Sequence, residues 1–482
     1  MRAPRPFCLL LLAGLPALGA PAVRVPEIPI PELTALSKSA EQELRGDILP
    51  FWLKYTRNEE NGGFFGQIDA DMTVRKDSPR GALLTCRILW TFSAAYRAYP
   101  QPSYLEMARW AYRDLVDHFW DKESGGLFWT ITADGRPLDT QKLVYLQVFG
   151  IYSLAEFYRA TNEGSALDEA IAIYGLVEKH ARDNRYGGYF DALDRKWDRL
   201  AAGQRNPLGN APKSQNSHIH ILEGYTNLLR VWPDAGLRAT QGALIDVVIR
   251  RLIDPRTHHL ILFTNEDWTP VSEAVSYGHD IELSWLLVEA ANGLGDPALL
   301  ARVRPISLDI ARVTLAEGVD ADGGVINEGG PHGYTDTGKD WWPQAEAAVG
   351  FLNAYQLSRD PRFFEASRRS WDFIGARFID RAHGDWIEKV KRDGTPIPRP
   401  KVTLWKCPYH SGRSCLELTG RLRELIGAGI APQSAIQKKL EHPPVEFVAP
   451  VVLVSDIRPV AVEDSEFAAQ IPHRPPPAGF LP

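Results

Sequence analysis

The sequence predicts an all-helical fold, an (α/α)6 barrel in which six helical hairpins with short β-hairpin connections surround a central cleft. Two observations predict it. A turn-and-strand signal recurs six times, and between consecutive signals apolar residues repeat at helical spacing in two successive segments. The signals begin at Gly62, Gly125, Gly187, His258, Gly323 and Gly384, which are 63, 62, 71, 65 and 61 residues apart. A period of this size indicates repeated supersecondary units within one domain.

The apolar spacing places the helices in chain order. An opening helix covers about 31–55, and the last covers about 411–425. Between them the pairs run over 84–95 and 104–115, 144–158 and 166–180, 218–231 and 236–252, 278–291 and 297–315, and 343–357 and 362–378. Twelve helices in six hairpins close most naturally into a toroid. An open solenoid is the alternative, but the chain lacks obvious polar capping repeats.

The two ends of the chain differ from the repeats. Arg2 and Arg5 precede an apolar run, Phe7–Leu18, and a small-residue cleavage site at Ala20–Ala22. This pattern is typical of a secretory signal peptide, so we expect a secreted or periplasmic protein. The predicted organisation is a signal peptide over 1–22, a barrel over 23–432 and a proline-rich extension over 433–482. For the extension, packing along the barrel and disorder both stay open.

Composition narrows the classes of function. The chain is 44% hydrophobic and 24% charged, as expected of a globular protein with a large core. Its formal charge of -6 provides no basic surface for nucleic acid, and no later apolar stretch is long enough to span a membrane. The 14 Trp and 16 Tyr suit the apolar faces of sugar rings, although large helical cores also use aromatic residues. We expect an oligosaccharide or disaccharide as the partner, and a monomer.

No metal or cofactor is predicted. The sequence lacks HExxH, clustered His and Asp ligands, P-loop and GxGxxG patterns. Once the signal peptide is removed, Cys86, Cys407 and Cys415 remain, an odd number without zinc-type spacing. Three buried thiols are the expected arrangement, with a Cys407–Cys415 disulfide as the alternative.

Unusual polar and aromatic residues lie near the start of the first helix in each unit. They are Arg87, Tyr145, His220, His279, Trp342 and His410. Residues at corresponding positions of the inner helices point into one shared cleft, where a toroid would bind its substrate.

Helical spacing places a carboxylate on the same helix face as each of two histidines. Asn216, His220 and Glu223 share one helix face, so Glu223 can orient the imidazole. His279 and Glu282 are three residues apart and predict a second imidazole with a carboxylate companion. For each histidine a structural role is the alternative: a satisfied core residue at His220, or a cap cluster around Asp280 beside His279.

Two further segments complete the predicted cleft. Trp342 and Glu346 share a helix face and would combine a stacking surface with a carboxylate that binds hydroxyls. His410 opens the last helix, where the helix N-terminus disfavours the imidazolium form. Several imidazoles with near-neutral pKa values suit proton abstraction next to a carbonyl, because each can take and return a proton.

Five sequence blocks then indicate a family. T-C-R-I-L-W-T-F-S, N-S-H-I-H-I-L-E-G-Y-T-N-L, S-Y-G-H-D-I-E-L-S-W, D-W-W-P-Q-A-E and W-K-C-P-Y-H-S-G-R occur in this order. Together they closely resemble the cellobiose 2-epimerases of the N-acylglucosamine 2-epimerase superfamily, over roughly residues 30–425. The resemblance implies an (α/α)6 barrel, in agreement with the repeat count. Gln215 and Ser217 depart from the more common family pattern, which leaves substrate preference open.

The resemblance also implies roles for single residues. His279 and His410 correspond to the acid/base pair, and His220 to a histidine that assists ring opening or polarises the carbonyl oxygen. Arg87 would neutralise the enediolate oxygen. The implied sugar-positioning residues are Tyr145, Asn216 and Glu282, and the implied sugar-ring residues are Trp342, Glu346 and Trp405. The implied reaction interconverts glucose and mannose at the reducing end of a β-1,4-linked disaccharide, without a metal.

Two other classes of function stay open. A glycoside hydrolase on the same toroid would use paired carboxylates such as Asp280 and Glu346. A non-catalytic sugar-binding protein would keep the aromatic residues but would not need three convergent histidines. The sequence does not separate cellobiose, mannobiose, lactose and monosaccharides as substrates.

Overall fold

The computed structural model describes residues 28–201, 204, 206–209 and 211–430. The predicted signal peptide, residues 1–22, and the predicted extension, residues 433–482, lie outside the described residues, so both boundaries stay predictions. Within the described residues, no helix combines the length and apolar character needed to cross a membrane.

The described part of the chain contains the twelve predicted helices. The first is continuous from α1 (Ile30–Glu43) through a π-helical turn (Leu44–Ile48) to α2 (Leu49–Tyr55). The others are α3 (Ala82–Ala98), α4 (Pro102–Asp114), α5 (Val144–Thr161), α6 (Gly164–Leu176), α7 (Gln215–Leu229), α8 (Ala235–Val247), α9 (Tyr277–Leu294), α10 (Pro297–Val313), α11 (Trp341–Ser358), α12 (Pro361–Arg377) and α13 (Tyr409–Ile430). Further π-helical turns at Leu115–Phe119, Val177–Ala181, Val248–Leu252 and Thr314–Gly318 extend α4, α6, α8 and α10.

These helices form two concentric rings. The inner ring runs α3, α5, α7, α9, α11, α13, with each helix in contact with the next, and α13 contacts α3. The outer helices α4, α6, α8, α10 and α12 each pack against the inner helix that precedes them in the chain, and α1 packs against α13. Because the inner ring closes, the predicted (α/α)6 barrel is confirmed and the open solenoid is wrong.

The ring that each helix joins follows from its sequence. Every residue of α7 except Asn216 is buried, and α5 and α9 bury residues on all their faces. A helix without a polar face must be covered on all sides, whereas α4 and α12 expose polar faces to solvent. The inner helices therefore present their few polar residues to one another and to the cleft.

Within the part of the chain that the structure describes, thirteen short strands connect the helices at one end of the barrel. They are β1 (Arg80–Gly81), β2 (Thr130–Ile131), β3 (Pro137–Asp139), β4 (Lys142–Leu143), β5 (Ala192–Leu193), β6 (Lys213–Ser214), β7 (Phe263–Thr264), β8 (Val275–Ser276), β9 (Glu328–Gly330), β10 (Gly333–Asp336), β11 (Lys339–Asp340), β12 (Lys389–Val390) and β13 (Pro396–Ile397). They form antiparallel sheets in the orders β1-β2-β3, β4-β5, β6-β7, β8-β9-β10 and β11-β12-β13. Each sheet pairs the strand before an inner helix with a strand that follows the next outer helix, so the sheets lie at the N-terminal ends of the inner helices.

A repeated hydrogen bond ties each turn to an inner helix. The acceptors are the fourth residues of α5, α7, α9 and α11, namely Gln147, His218, Asp280 and Gln344. They accept the backbone N–H groups of Leu127, Tyr189, Leu260 and Val325 at 2.8, 3.0, 2.8 and 2.7 Å. Buried backbone donors need such partners. His218 and Asp280 therefore have structural roles.

Close packing between inner helices gives a test of the fold. A Cβ added at Gly350 in α11 would lie 2.7 Å from the backbone oxygen of Ile281 in α9. Because that oxygen belongs to a neighbouring helix, we expect Gly350→Ala to lower the free energy of unfolding by about 1–3 kcal/mol, measured by urea titration. Gly420→Ala in α13 is the matched control, since an added Cβ there meets nothing within 4 Å. It should raise stability by up to about 1 kcal/mol. A Gly350→Ala protein as stable as the wild type would contradict this packing.

Candidate active site

The inner helices supply polar residues to the cleft at two depths. Tyr145, Asn216, Trp342 and His410 are the second residues of α5, α7, α11 and α13. Arg87, His220, Glu282 and Glu346 are the sixth residues of α3, α7, α9 and α11. Four residues are about one helical turn, so the second set lies about one turn deeper than the first. His279, the third residue of α9, lies with the upper set.

Direct contacts join these residues across the ring. An Arg87 nitrogen donates to the Tyr145 hydroxyl at 2.6 Å, and the Tyr145 ring lies edge-on to His220 with centroids 5.0 Å apart. On the other side, the Trp342 ring lies 4.6 Å from His279 and 5.7 Å from His410. The structure therefore brings the three predicted histidines into one cleft, with His279 and His410 both beside Trp342.

The two sides of the cleft meet at Arg413, which the sequence analysis did not include among the site residues. Its guanidinium donates to Glu223 of α7, and to Glu282 and Glu346 at 2.5 and 2.7 Å. It also donates to the Tyr409 hydroxyl, which donates to Glu223. All three carboxylates are buried, and buried carboxylates need a compensating charge. In the sequence, three Glu residues at helix positions that face the cleft could have indicated that a cation must lie among them.

Each histidine has its own hydrogen-bond partner on Nδ1. His220 pairs with Glu223 at 2.9 Å, as predicted, and His410 pairs with Glu346 at 2.7 Å. His279 pairs with the Ser276 hydroxyl at 2.8 Å. The predicted pairing of His279 with Glu282 is wrong, because the Glu282 side chain accepts a hydrogen bond from Arg413 instead. With Nδ1 engaged, the Nε2 atom of each imidazole is left to face a substrate.

All three imidazoles are kept in the neutral form. Burial lowers the pKa of His220, and burial with the nearby Arg87 and Arg413 lowers the pKa of His410 well below its usual range. Burial and the His220 ring lower the pKa of His279 to about 3. The sequence predicted that the helix N-terminus would disfavour the imidazolium form of His410, whereas the causes in the structure are burial and then Arg87 and Arg413. The pKa of His279 lies below the near-neutral range that was expected.

Arg87 is a buried cation with aromatic surroundings. Its guanidinium lies 4.4 Å from the Phe149 ring centroid and 5.0 Å from that of Tyr409. Its contacts also include the Cys407 thiol at 3.8 Å. Cys407 is free and buried, as are Cys86 and Cys415, so the expected thiols are confirmed. Because no carboxylate among the described residues bonds to Arg87, its charge is available to an anion in the cleft.

The predicted sugar-binding residues have different surroundings. Trp405 is 40% exposed, and its ring lies 5.7 Å from Trp129 and 6.1 Å from Tyr145. Trp129 was not predicted, since it lies outside both the inner helices and the five sequence blocks. The Asn216 side-chain oxygen has no hydrogen-bond partner among the described residues. Glu346 instead accepts bonds from His410, Arg413 and the Trp285 indole, so its oxygens are already occupied and it positions His410.

One group of side chains in the described residues has metal-ligating atoms close together. Glu282, Glu346 and His410 each offer one atom, and these atoms lie within 4.8 Å of one another. However, Arg413 donates to both carboxylates, and the Nδ1 atom of His410 is bonded to Glu346. The guanidinium of Arg413 therefore already balances the negative charge that would otherwise attract a metal ion.

Comparisons with known proteins agree with this geometry. The chain is 42% identical over 389 residues to cellobiose 2-epimerase from Bacteroides fragilis, which spans 80% of this chain and 99% of that protein. The corresponding enzyme from Dictyoglomus turgidum is 36% identical over 400 residues, covering 81% of this chain and 100% of that protein. The solved structure of cellobiose 2-epimerase from Bacillus thermoamylovorans superposes with a TM-score of 0.77 at 38% identity, covering 80% of this chain and 100% of that one.

A wider likeness concerns the fold alone. The α-mannanase of glycoside hydrolase family 76 from Bacteroides thetaiotaomicron has a TM-score of 0.56 at 11% identity, covering 82% of this chain and 97% of that one. By contrast, the sequence profile of the N-acylglucosamine 2-epimerase family matches residues 63–411, the region that holds every inner helix through the start of α13. The chain therefore belongs to the N-acylglucosamine 2-epimerase family.

Proposed function

We propose that this chain, a sugar epimerase by family, interconverts glucose and mannose at the reducing end of β-1,4-linked disaccharides of the cellobiose or mannobiose type. The observation that carries the proposal is the pair of neutral imidazoles, His279 and His410, on two different inner helices beside one Trp342 ring. Inversion at a carbon next to a carbonyl needs two such bases, one on each face. The relatives named as cellobiose 2-epimerases support the choice of a disaccharide.

The proposed reaction begins with opening of the reducing sugar. His220, held by Glu223, moves the proton between the anomeric hydroxyl and the ring oxygen. One imidazole of the His279 and His410 pair then takes the proton from C2, which gives a cis-enediolate. The positive charge of Arg87, with the Tyr145 hydroxyl, stabilises its oxygen in a site from which water is largely excluded. Rotation about C2–C3 presents the other face. The second imidazole, which takes up a proton from water while the enediolate exists, transfers that proton to C2, and the first imidazole releases its proton to water.

The hydrolase alternative is less supported. It required Asp280 and Glu346 to act as paired carboxylates. Asp280 instead bonds the His259 ring at 2.6 Å and the Leu260 backbone, and Glu346 bonds His410, Arg413 and Trp285. Neither carboxylate is free to protonate a glycosidic oxygen or activate water.

The class of reaction can be tested with cellobiose and mannobiose. Because only C2 changes configuration, each disaccharide should yield a product of identical mass that differs at C2 of the reducing sugar, as followed by chromatography and NMR. Incubation with EDTA is the control, and activity should persist because Arg87 supplies the positive charge. Free monosaccharide as the main product would refute the epimerase assignment. Loss of activity restored by one divalent cation would refute the metal-free step.

The two histidines give a second test. Replacing His279 or His410 by Asn keeps a polar side chain that cannot carry the proton, so turnover should fall by about two to four orders of magnitude. Substrate binding, measured by calorimetry, should survive. In deuterium oxide the wild type should place deuterium at C2 of the product. A single variant can still exchange C2 of the substrate through the remaining histidine without inverting it. Near-normal inversion in both variants would rule out the assignment.

We also propose export of the chain from the cytoplasm, on the basis of the pattern in residues 1–22. After expression in a bacterial host, the mature protein should be recovered outside the cytoplasm and should begin near Val23. N-terminal sequencing measures this directly, and a variant with Arg2 and Arg5 both replaced by Glu is the control, because it removes the positive charge before the apolar run. An intact Met1 on a cytoplasmic wild-type protein would contradict export.

A further inference from the structure

The Glu282 carboxyl has surroundings that differ from those of the other two carboxylates bound by Arg413. Glu223 accepts hydrogen bonds from Arg413, Tyr409 and His220, and Glu346 accepts from Arg413, Trp285 and His410. Glu282 accepts one bond, from Arg413 to its Oε1 atom. Its Oε2 atom is buried and has no partner among the described residues. An ionised Oε2 there would be uncompensated.

The charges of the buried site balance only if one carboxyl is protonated. Arg87 and Arg413 are the two cations, and the three imidazoles are neutral. Three ionised glutamates would leave a net negative charge in a desolvated site, whereas two leave none. Titratable and charged groups from four neighbouring helices lie near Glu282. They are Tyr145 on α5, Glu223 on α7, Glu346 on α11, and Tyr409, His410 and Arg413 on α13.

We propose that Glu282 is a neutral carboxylic acid at pH 7 and that its Oε2–H donates a hydrogen bond to an oxygen of the bound sugar. The donor role rests on the proposed epimerase function, but the protonation does not. A carboxylic acid held neutral in this way stabilises negative charge developing on a substrate oxygen without itself giving up the proton. Glu282 and Arg87 would then both stabilise that charge, with the proton staying on Glu282 throughout the reaction.

The electrostatics of Glu282 and Glu223 agree with this assignment, while burial also raises the pKa of Glu346 against the opposing effect of Arg413. Burial and the neighbouring Glu346 raise the pKa of Glu282 to about 8. Burial also raises the pKa of Glu223, but Arg413, His220 and Tyr409 outweigh it and bring it down to about 2. Of the three groups, Glu282 is the one that lacks donors for its second oxygen. Since its pKa is raised, the neutral form exists below about pH 8 and is lost as the pH rises through that value.

Protonation can be measured without turnover. The infrared difference spectrum between the wild type and Glu282→Gln at pH 7 should contain a carboxylic acid C=O band from the wild type, and that band should disappear as the pH rises through about 8. In Glu346→Gln the band should weaken, because Glu282 must then ionise to balance the two arginines. Burial also raises the pKa of Glu43 to about 8, so Glu43→Gln is the second variant: it removes that other carboxyl and should keep the band, which assigns the band even if Glu282→Gln fails to fold. Absence of such a band at pH 7 would overturn the proposal.

The donor role is tested by comparing two variants of Glu282. Glu282→Gln keeps an N–H donor of similar shape, so kcat should fall by no more than about tenfold. Glu282→Leu removes the donor, and kcat should fall by about 10²–10³-fold. The wild type should also lose kcat above about pH 8, and Glu282→Gln should lose this pH dependence. A Gln variant as slow as the Leu variant would refute donation, whereas an inactive wild type that still shows the band would refute only the proposed function.

Discussion

The ion cluster around Arg413 is the interaction on which the site depends. One guanidinium from α13 binds glutamate side chains from α7, α9 and α11, and so ties together four of the six inner helices. Removing one member of a buried cluster leaves uncompensated charge, which costs far more than the loss of a surface ion pair. Two of the carboxylates also hold histidines: Glu223 holds His220 and Glu346 holds His410. The position of Arg413 therefore sets the orientation of both rings.

The same cluster explains the protonation of the site. Burial disfavours the charged imidazolium form, and the permanent cations Arg87 and Arg413 close to the rings disfavour it further. The rings are neutral bases as a result. During the proposed reaction the enediolate adds a negative charge. This charge offsets the effect of the two arginines and stabilises a protonated imidazole while the enediolate exists. The charges of the site are therefore better balanced when the anionic intermediate is bound than in the free enzyme.

Repetition of one hairpin explains how these residues come to face one another. The bonds from Gln147, His218, Asp280 and Gln344 to the preceding turns fix the N-terminal ends of four inner helices at similar depths. Residues at matching helix positions then meet in the cleft. This scaffold does not choose the chemistry, since the family 76 mannanase has a similar fold at 11% identity. The choice lies in which side chains occupy the second, third and sixth positions of the inner helices.

Features that depend on local order could be predicted from the sequence. The period near 60 residues and the apolar spacing gave the twelve helices, because amphipathic periodicity reports burial directly. The residues of the cleft, from Arg87 to His410, could be named, and so could the pairing of His220 with Glu223, three residues apart on one helix. Helical spacing is informative about such neighbours because the geometry of a helix is fixed.

Only the tertiary structure decided the other partners. His410 meets Glu346 across 64 residues of chain, and Arg413 meets Glu282 across 131 and Glu223 across 190. Spacing along one helix wrongly assigned Glu282 to His279, because it contains no information about which charge on another helix competes for that carboxyl. Closure of the ring brings α13 beside α3 and α11 and places Arg413 among the three glutamates. The sequence by itself predicted most of the residues that line the cleft, but not Arg413 or Trp129, and the closed ring decided which of them hold one another, because long-range contacts depend on the packing of all six inner helices.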